Sequence, residues 1–408
     1  MRQTMRVFAV ITNTILATLM AFTFYINTQL PDSISVVADE AIHLPYPVQL
    51  AETESSAVVV QKSLNPGSSY QMEARLLGMV PIKQLRVEVV ERRQVLVSGA
   101  PFGIKMFTDG LMVVGMSDVA ADGKRINPAR EAGVKIGDMI ETVDGVRLKS
   151  NEQLGALVEQ SQGRSIDLCI RRGESRLNIL VPPVRSVGDG KYRLGLWVRD
   201  SSAGIGTMTY YDPGTGLFTG LGHPVCDVDT GELMPLQSGE IVEAEITGCK
   251  QGQPGMPGEL KGRFANRSTL GQLCGNTDTG VYGYLRGDIY LGEPVEIALS
   301  QEVQTGPAVI WTTVEGKIPQ AYHVEIEKID LHKSGRQNMV VRVVDPALLE
   351  KTGGIVQGMS GSPILQNGRL VGSVTHVFVN DPQRGYGVFA ENIEQNAQRT
   401  VGVRKPAA

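Results

Sequence analysis

The hexapeptide Gly358-Met359-Ser360-Gly361-Ser362-Pro363 has the glycine-x-serine-glycine-x-proline form of a nucleophile loop. Glycines flanking a serine let the backbone fold tightly. The amides of Gly358 and Ser360 can then point together at a developing oxyanion while the Ser360 hydroxyl faces a carbonyl carbon. A surface glycine–serine turn has the same composition, so the chemistry must also find a base. Of the five histidines, His43 lies far upstream, whereas His223, His323, His332 and His376 share the C-terminal half. His223 stands between Gly222 and Pro224, which fixes its backbone. A base must offer one ring nitrogen to the nucleophile and the other to an orienting acceptor. The acid is less well defined. Asp345 precedes Pro346-Ala347-Leu348-Leu349-Glu350, with Gly353-Gly354 beyond, which reads as a helix N-cap with proline at the first helical position. Asp227, Asp229 and Asp381 are rivals. His223, Cys226, Asp227 and Asp229 match no familiar metal-ligand spacing, so neither a metal nor another cofactor is expected.

These residues need strands to hold them. Thr207 to Tyr211, the turn Asp212-Pro213-Gly214-Thr215-Gly216 and Leu217 to Leu221 form a strand-turn-strand unit whose second strand delivers His223. Behind Ser360, Ile364-Leu365-Gln366, Asn367-Gly368 and Arg369-Leu370-Val371 read as a hairpin. The 47 glycines recur between short Val/Ile-rich runs, so the chain is expected to be mostly β. From Val97 to Pro183 the order is a strand opened by Phe102-Gly103-Ile104, a short helix at Asn127–Gly133, Ile136–Ile140, an Asp144-Gly145 turn, a helix capped by Ser150, and a strand through Ile166, Leu168 and Ile170. This segment resembles a PDZ domain, most specifically over residues 132–145. Such modules take an extended peptide onto an exposed strand. The resemblance implies that amides around Phe102, Gly103 and Ile104 receive it. The competing reading is a plain β-turn in a spacer domain.

At the N-terminus, Val7 to Ile26 carries no charge and follows Arg2 and Arg6, as a membrane anchor with a cytoplasmic N-terminus would. A cleaved signal peptide is the alternative, without a clear cleavage site between Phe22 and Leu30. The stretch to about residue 74, rich in Pro, Ser and acidic residues, reads as extended linker, and Leu85, Val87 and Val89 begin an alternating strand. The 39 basic and 43 acidic residues give a net charge of −4, with no basic stripe for nucleic acid. Cys169, Cys226, Cys249 and Cys274 read as buried free thiols. The expected organisation is an anchor at 1–27, a linker and N-terminal extension at 28–96, a PDZ-like domain at 97–184 and a serine peptidase domain at 185–408.

The order anchor, PDZ, protease, with Gly222-His223-Pro224, Val344-Asp345-Pro346, the run from Gly354 to Pro363 and the run from Thr375 to Pro382, closely resembles the stage IV sporulation protein B peptidase family. That resemblance implies a PDZ-like α+β domain followed by a chymotrypsin-like double β-barrel, with His223, Asp345 and Ser360 as the triad. Two features depart from the chymotrypsin pattern: the acid lies fifteen residues before the serine, and Met359 replaces an aspartate. The family further implies export from the forespore into the space between the two spore membranes. There it implies self-cleavage within about 30–74 and cleavage of a membrane protein that restrains the sigma-K processing protease. A high-temperature-requirement type protease shares these parts but normally places the protease before the PDZ domain. A non-catalytic PDZ membrane scaffold is the other alternative.

Overall fold

The computed structural model describes residues 2–38, 40, 42, 44, 47–52, 65–286, 294–332 and 337–403. Helix α1, Arg2–Gln29, is long and apolar enough to cross a membrane. Its threonines do not interrupt it, because Thr12, Thr14, Thr18 and Thr23 each donate a hydroxyl to the carbonyl four residues earlier, which satisfies them without water. Ile26 and Leu30 at its end are buried against Ala74, Leu76 and Leu85.

Those partners belong to a sheet of strands β1 (Ser33–Val37), β2 (Val48–Glu52), β3 (Ser69–Leu76) and β4 (Val80–Val90), ordered β1-β4-β3-β2. The segment read as linker therefore contributes β1, β2 and most of β3 to a packed sheet. Alternation buries Ile34, Val36, Met72, Val87 and Val89 on one face, and apolar positions at period two suffice to close such a layer. Arg92, beyond β4, pairs with Glu302 at 2.8 Å and ties the sheet to the rest of the molecule. His43 and residues 53–64, within the region expected to be cut, lie outside the described residues.

Two six-stranded barrels follow. The first contains β5 (Pro101–Met116), β9 (Leu196–Asp212), β10 (Leu217–Gly220), β11 (Leu236–Lys250), β12 (Glu259–Thr277) and β13 (Gly280–Leu285); between β5 and β9 lie β6 (Met139–Val143), β7 (Ile166–Arg172) and β8 (Ser175–Val181). Around the first barrel the neighbours are β5-β11-β12-β13-β10-β9, and β9 pairs back onto β5. The second barrel is a closed ring of β14 (Gly306–Thr312), β15 (Gln320–Ile329), β16 (Met339–Val343), β19 (Asp381–Phe389), β18 (Arg369–Phe378) and β17 (Pro363–Gln366). Numbering each barrel's strands one to six in chain order gives the same ring, 1-2-3-6-5-4, in both. Inward alternation fills the second with Ile310, Val324, Ile326, Val341 and Val343, each buried apolar side chain contributing about 1.5–3 kcal/mol.

The PDZ-like module is inserted into the first barrel rather than preceding it. β5 pairs with the first part of β9, from Pro101↔Thr207 to Met116↔Leu196, through two register shifts. One end of this ribbon is barrel wall and the other packs with β6, β7, β8 and helices α2 (Pro128–Ala132) and α3 (Asn151–Gln160) around Leu111, Val113, Ile140, Leu154 and Leu168. The expected boundary at 97 thus cuts through the peptidase. Phe102, Gly103 and Ile104 are corrected with it: they pair with β9 on one edge and with Glu243, Val242 and Ile241 of β11 on the other. Phe102 and Ile104 are buried in barrel core, so no amide there is open to a peptide. The module's own local features hold. Asn127 caps α2, Gly133 closes it at φ 97°, Ser150 caps α3, and Asp144-Gly145 turn with φ 48° and 77°. The four cysteines are half-buried.

Candidate active site

His223 leaves the third strand of the first barrel through an unusual backbone. Leu221 and Gly222 both have positive φ, 67° and 65°, a conformation that costs a branched residue about 1–2 kcal/mol. A Cβ on Gly222 would sit 2.6 Å from Ser373 Oγ. Only glycine fits, and the turn throws His223 into the cleft between the barrels. The segment after it is held by Asn276, whose amide accepts from Val225 N–H at 2.8 Å and donates to the carbonyls of Val225 and Met234 at 2.9 Å each. His223 Nδ1 lies 2.8 Å from the Pro224 carbonyl. A carbonyl only accepts, so Nδ1 carries the proton in this contact, and in the neutral ring Nε2 is then the accepting nitrogen.

Ser360 comes from the loop before β17. Gly358 and Gly361 adopt φ 98° and 96°, and a Cβ on Gly361 would lie 2.0 Å from the Thr207 carbonyl. Strand β9 of the first barrel grips this loop at three points. Thr207 N–H donates to the Ser360 carbonyl at 3.1 Å, Thr207 Oγ1 to the Gly358 carbonyl at 2.8 Å, and Thr209 Oγ1 to the Gly361 carbonyl at 2.8 Å. Met359 is buried in the second barrel's core. The residue in the aspartate's usual place is therefore an apolar anchor for the loop. The amides of Gln357, Met359, Gly361 and Ser362 are each taken by a carbonyl. Among the described residues, those of Gly358 and Ser360 have no such acceptor.

His223, Ser360, Gly358, Thr375 and His376 line one cleft of about 480 Å³. Between the pairs Val374↔Gly387 and Val377↔Gly385, Thr375 and His376 face Tyr386 alone, a bulge that turns both residues toward the site. The Thr375 carbonyl accepts the Ser360 hydroxyl at 2.6 Å, and the rings of His376 and His223 lie 4.7 Å apart, tilted by 38°.

Asp345 is not brought to this cleft. Its carboxylate caps helix α4 (Pro346–Thr352), accepting from Ala347 N–H at 3.0 Å, Leu348 N–H at 3.2 Å and His323 N–H at 3.1 Å. Burial would raise its pKa, but the amides of His323, Leu348 and Ala347 outweigh that and hold it below the usual carboxylate range. The rivals are also engaged elsewhere, Asp227 and Asp229 by Arg199 and Asp381 by Arg384. Among the described residues no group of three or more His, Cys, Asp or Glu is placed to hold a metal. Sequence reading did not assign roles to Thr207, Thr209, Asn276 or Thr375. Each acts through a contact between residues far apart in the chain, and no local spacing marks it.

Residues 190–393 match the family model described as SpoIVB peptidase S55. No curated protein matches the chain by sequence. Similar solved structures include the PDZ domain of an SdrC-like protein from Listeria monocytogenes, at 20% identity and TM-score 0.19, covering 22% of this chain and 87% of that one. Another is the inactive form of the Rv3671c protease from M. tuberculosis, at 14% identity and TM-score 0.29, covering 48% and 84%. The HtrA-type protease AlgW with a decapeptide has 11% identity and TM-score 0.30, covering 50% and 55%.

Proposed function

The chain belongs to the SpoIVB peptidase S55 family and is a serine peptidase; on that premise we propose that Ser360 is its nucleophile, His223 its general base, and the amides of Gly358 and Ser360 its oxyanion hole. The observation that carries this reading is the convergence of His223, Ser360 and two unclaimed amides in one cleft between two barrels. In the described state Ser360 donates to the Thr375 carbonyl. Catalysis needs the hydroxyl turned to His223 Nε2, which takes its proton as Oγ attacks the peptide carbonyl. The two amides stabilise the tetrahedral oxyanion, the protonated imidazole hands its proton to the leaving amine, and water then releases the acyl-enzyme by the reverse sequence. The Pro224 carbonyl fixes the imidazole tautomer. Asp345 is a helix cap in this reading, so the orienting role expected of it passes to backbone.

The biological step proposed for this activity follows family membership. The enzyme, held to the membrane by α1 and facing the space between forespore and mother-cell membranes, trims its own N-terminal region. It also cuts a membrane protein that regulates the sigma-K processing protease. The PDZ-like module is the proposed site for peptide partners, through an edge other than residues 102–104. A quality-control protease of the high-temperature-requirement type is less well supported, because family membership points to a signalling peptidase. Purified full-length protein in detergent tests the chemistry. Self-trimming and cleavage of an unfolded protein are expected to disappear in Ser360→Ala and His223→Ala; persistence of either in Ser360→Ala would overturn the assignment.

A further inference from the structure

The cleft that holds Ser360 contains no Asp, Glu, Lys or Arg among its lining residues. Apart from the imidazoles of His223 and His376, the only titratable side chain on its wall is Cys226. Its other walls are largely aliphatic, drawn from both barrels: Val225 and Val228 from the loop after His223, and Val356, Val377 and Val379 from the second barrel, with Pro257 beside them. The carboxylates closest in the chain to Val228 and Val379 are paired, Asp227 and Asp229 with Arg199 and Asp381 with Arg384. Val228 and Val379, one on each side of the barrel junction, are 86% and 53% exposed. Large aliphatic side chains left in water at the mouth of a cleft gain from a partner that covers them. An ammonium or carboxylate placed there would lose hydration with no counter-charge to replace it.

We propose that this cleft makes the enzyme selective for uncharged aliphatic side chains, of the size of valine or leucine, in the residues that flank the scissile bond. The inference rests on the serine-peptidase reading of the same site. It goes beyond that reading in naming what the substrate must carry: an extended segment with an aliphatic residue at the cut and no charge beside it. A pocket built of aliphatic walls discriminates between aliphatic side chains only about 10–200-fold per methylene, whereas a charge is excluded through desolvation.

The test uses the full-length protein and internally quenched peptides of one sequence, in which a single position on either side of the bond carries Val, Leu, Lys or Asp. The Val and Leu peptides are expected to show kcat/KM about 100-fold above the Lys and Asp peptides at one position or more. Val379→Asp and Val228→Asp place a carboxylate at the exposed mouth, where it does not disturb the core. At least one of them is expected to raise cleavage of a Lys peptide about tenfold while leaving the Asp peptide poor. Ser360-dependent cleavage that is indifferent to charge at every position, or Lys discrimination unchanged in both variants, overturns the selectivity but not the peptidase. Loss of all Ser360-dependent hydrolysis would overturn both.

Discussion

At the scale of single residues, the chemistry divides between side chains that react and side chains that only hold shape. Asp345 is the sharpest case, since its three backbone donors make it a cap. Asp345→Asn is expected to keep kcat within about threefold of the parent. An orienting carboxylate would instead cost about 10⁴-fold on the same change. Asp345→Ala is expected to cost about 1 kcal/mol of stability at neutral pH, read as a shift in urea midpoint. The pH dependence follows from the depressed pKa. The capping contribution is fully present above the unfolded value near 3.8 and is lost as pH falls through the lower folded value, so parent and variant should converge only as the pH is taken well below the unfolded value. The proposed base and nucleophile stand out in the chain because their backbone needs are local. Gly222 beside His223, and Gly358 and Gly361 around Ser360, all occupy the left-handed region the loops require. Asp345 was legible as a helix cap for the same reason, from the Pro346 that follows it and the glycines at the helix exit, whereas the acid role rested on the family resemblance alone.

At the scale of elements, strand β9 joins the barrels. Thr207 and Thr209 hold the carbonyls of the Ser360 loop, so the amides proposed as the oxyanion hole keep their aim only while β9 stays in register. Thr207→Val removes one such bond with little change in shape. It is expected to lower kcat about tenfold with KM nearly unchanged, as loss of positioning in the transition state does; an equal fall in kcat/KM carried by KM alone would contradict the clamp. Gly361→Ala puts a methyl 2.0 Å from the Thr207 carbonyl and is expected to destabilise by about 1–3 kcal/mol or more, measurable by thermal unfolding. The hairpin at Asn367-Gly368 and the turn at Asp212–Gly216 could be read from sequence because turn chemistry is local. Pairing of β5 with β11 could not, because residues more than a hundred positions apart must meet, and apolar alternation does not name a partner.

For the whole molecule, the inserted module changes what a domain deletion means. Removing residues 97–184 deletes β5 from the first barrel and is expected to give insoluble protein. Met116 and Leu196 are paired across the ribbon, so replacing residues 117–195 with an Asn-Gly turn should close the hairpin and leave a soluble peptidase. Solubility of the first deletion, with a normal unfolding transition, would contradict the insertion. The N-terminal sheet shows the same limit of local reading: β4 was legible from its alternation, but β1 and β2 lie in the stretch read as linker from its proline and serine content, and β1 pairs with β4 from far away in the sequence. In the proposed mechanism all of this architecture serves one hydroxyl, that of Ser360. The most direct measurement treats the full-length protein with a fluorophosphonate and maps the modified residue by mass spectrometry. The expected result is a single adduct on Ser360, absent in Ser360→Ala and strongly slowed in His223→Gln, while Asp345→Asn labels at nearly the parent rate. An unlabelled parent protein, or an adduct that persists when Ser360 is replaced, would contradict the account.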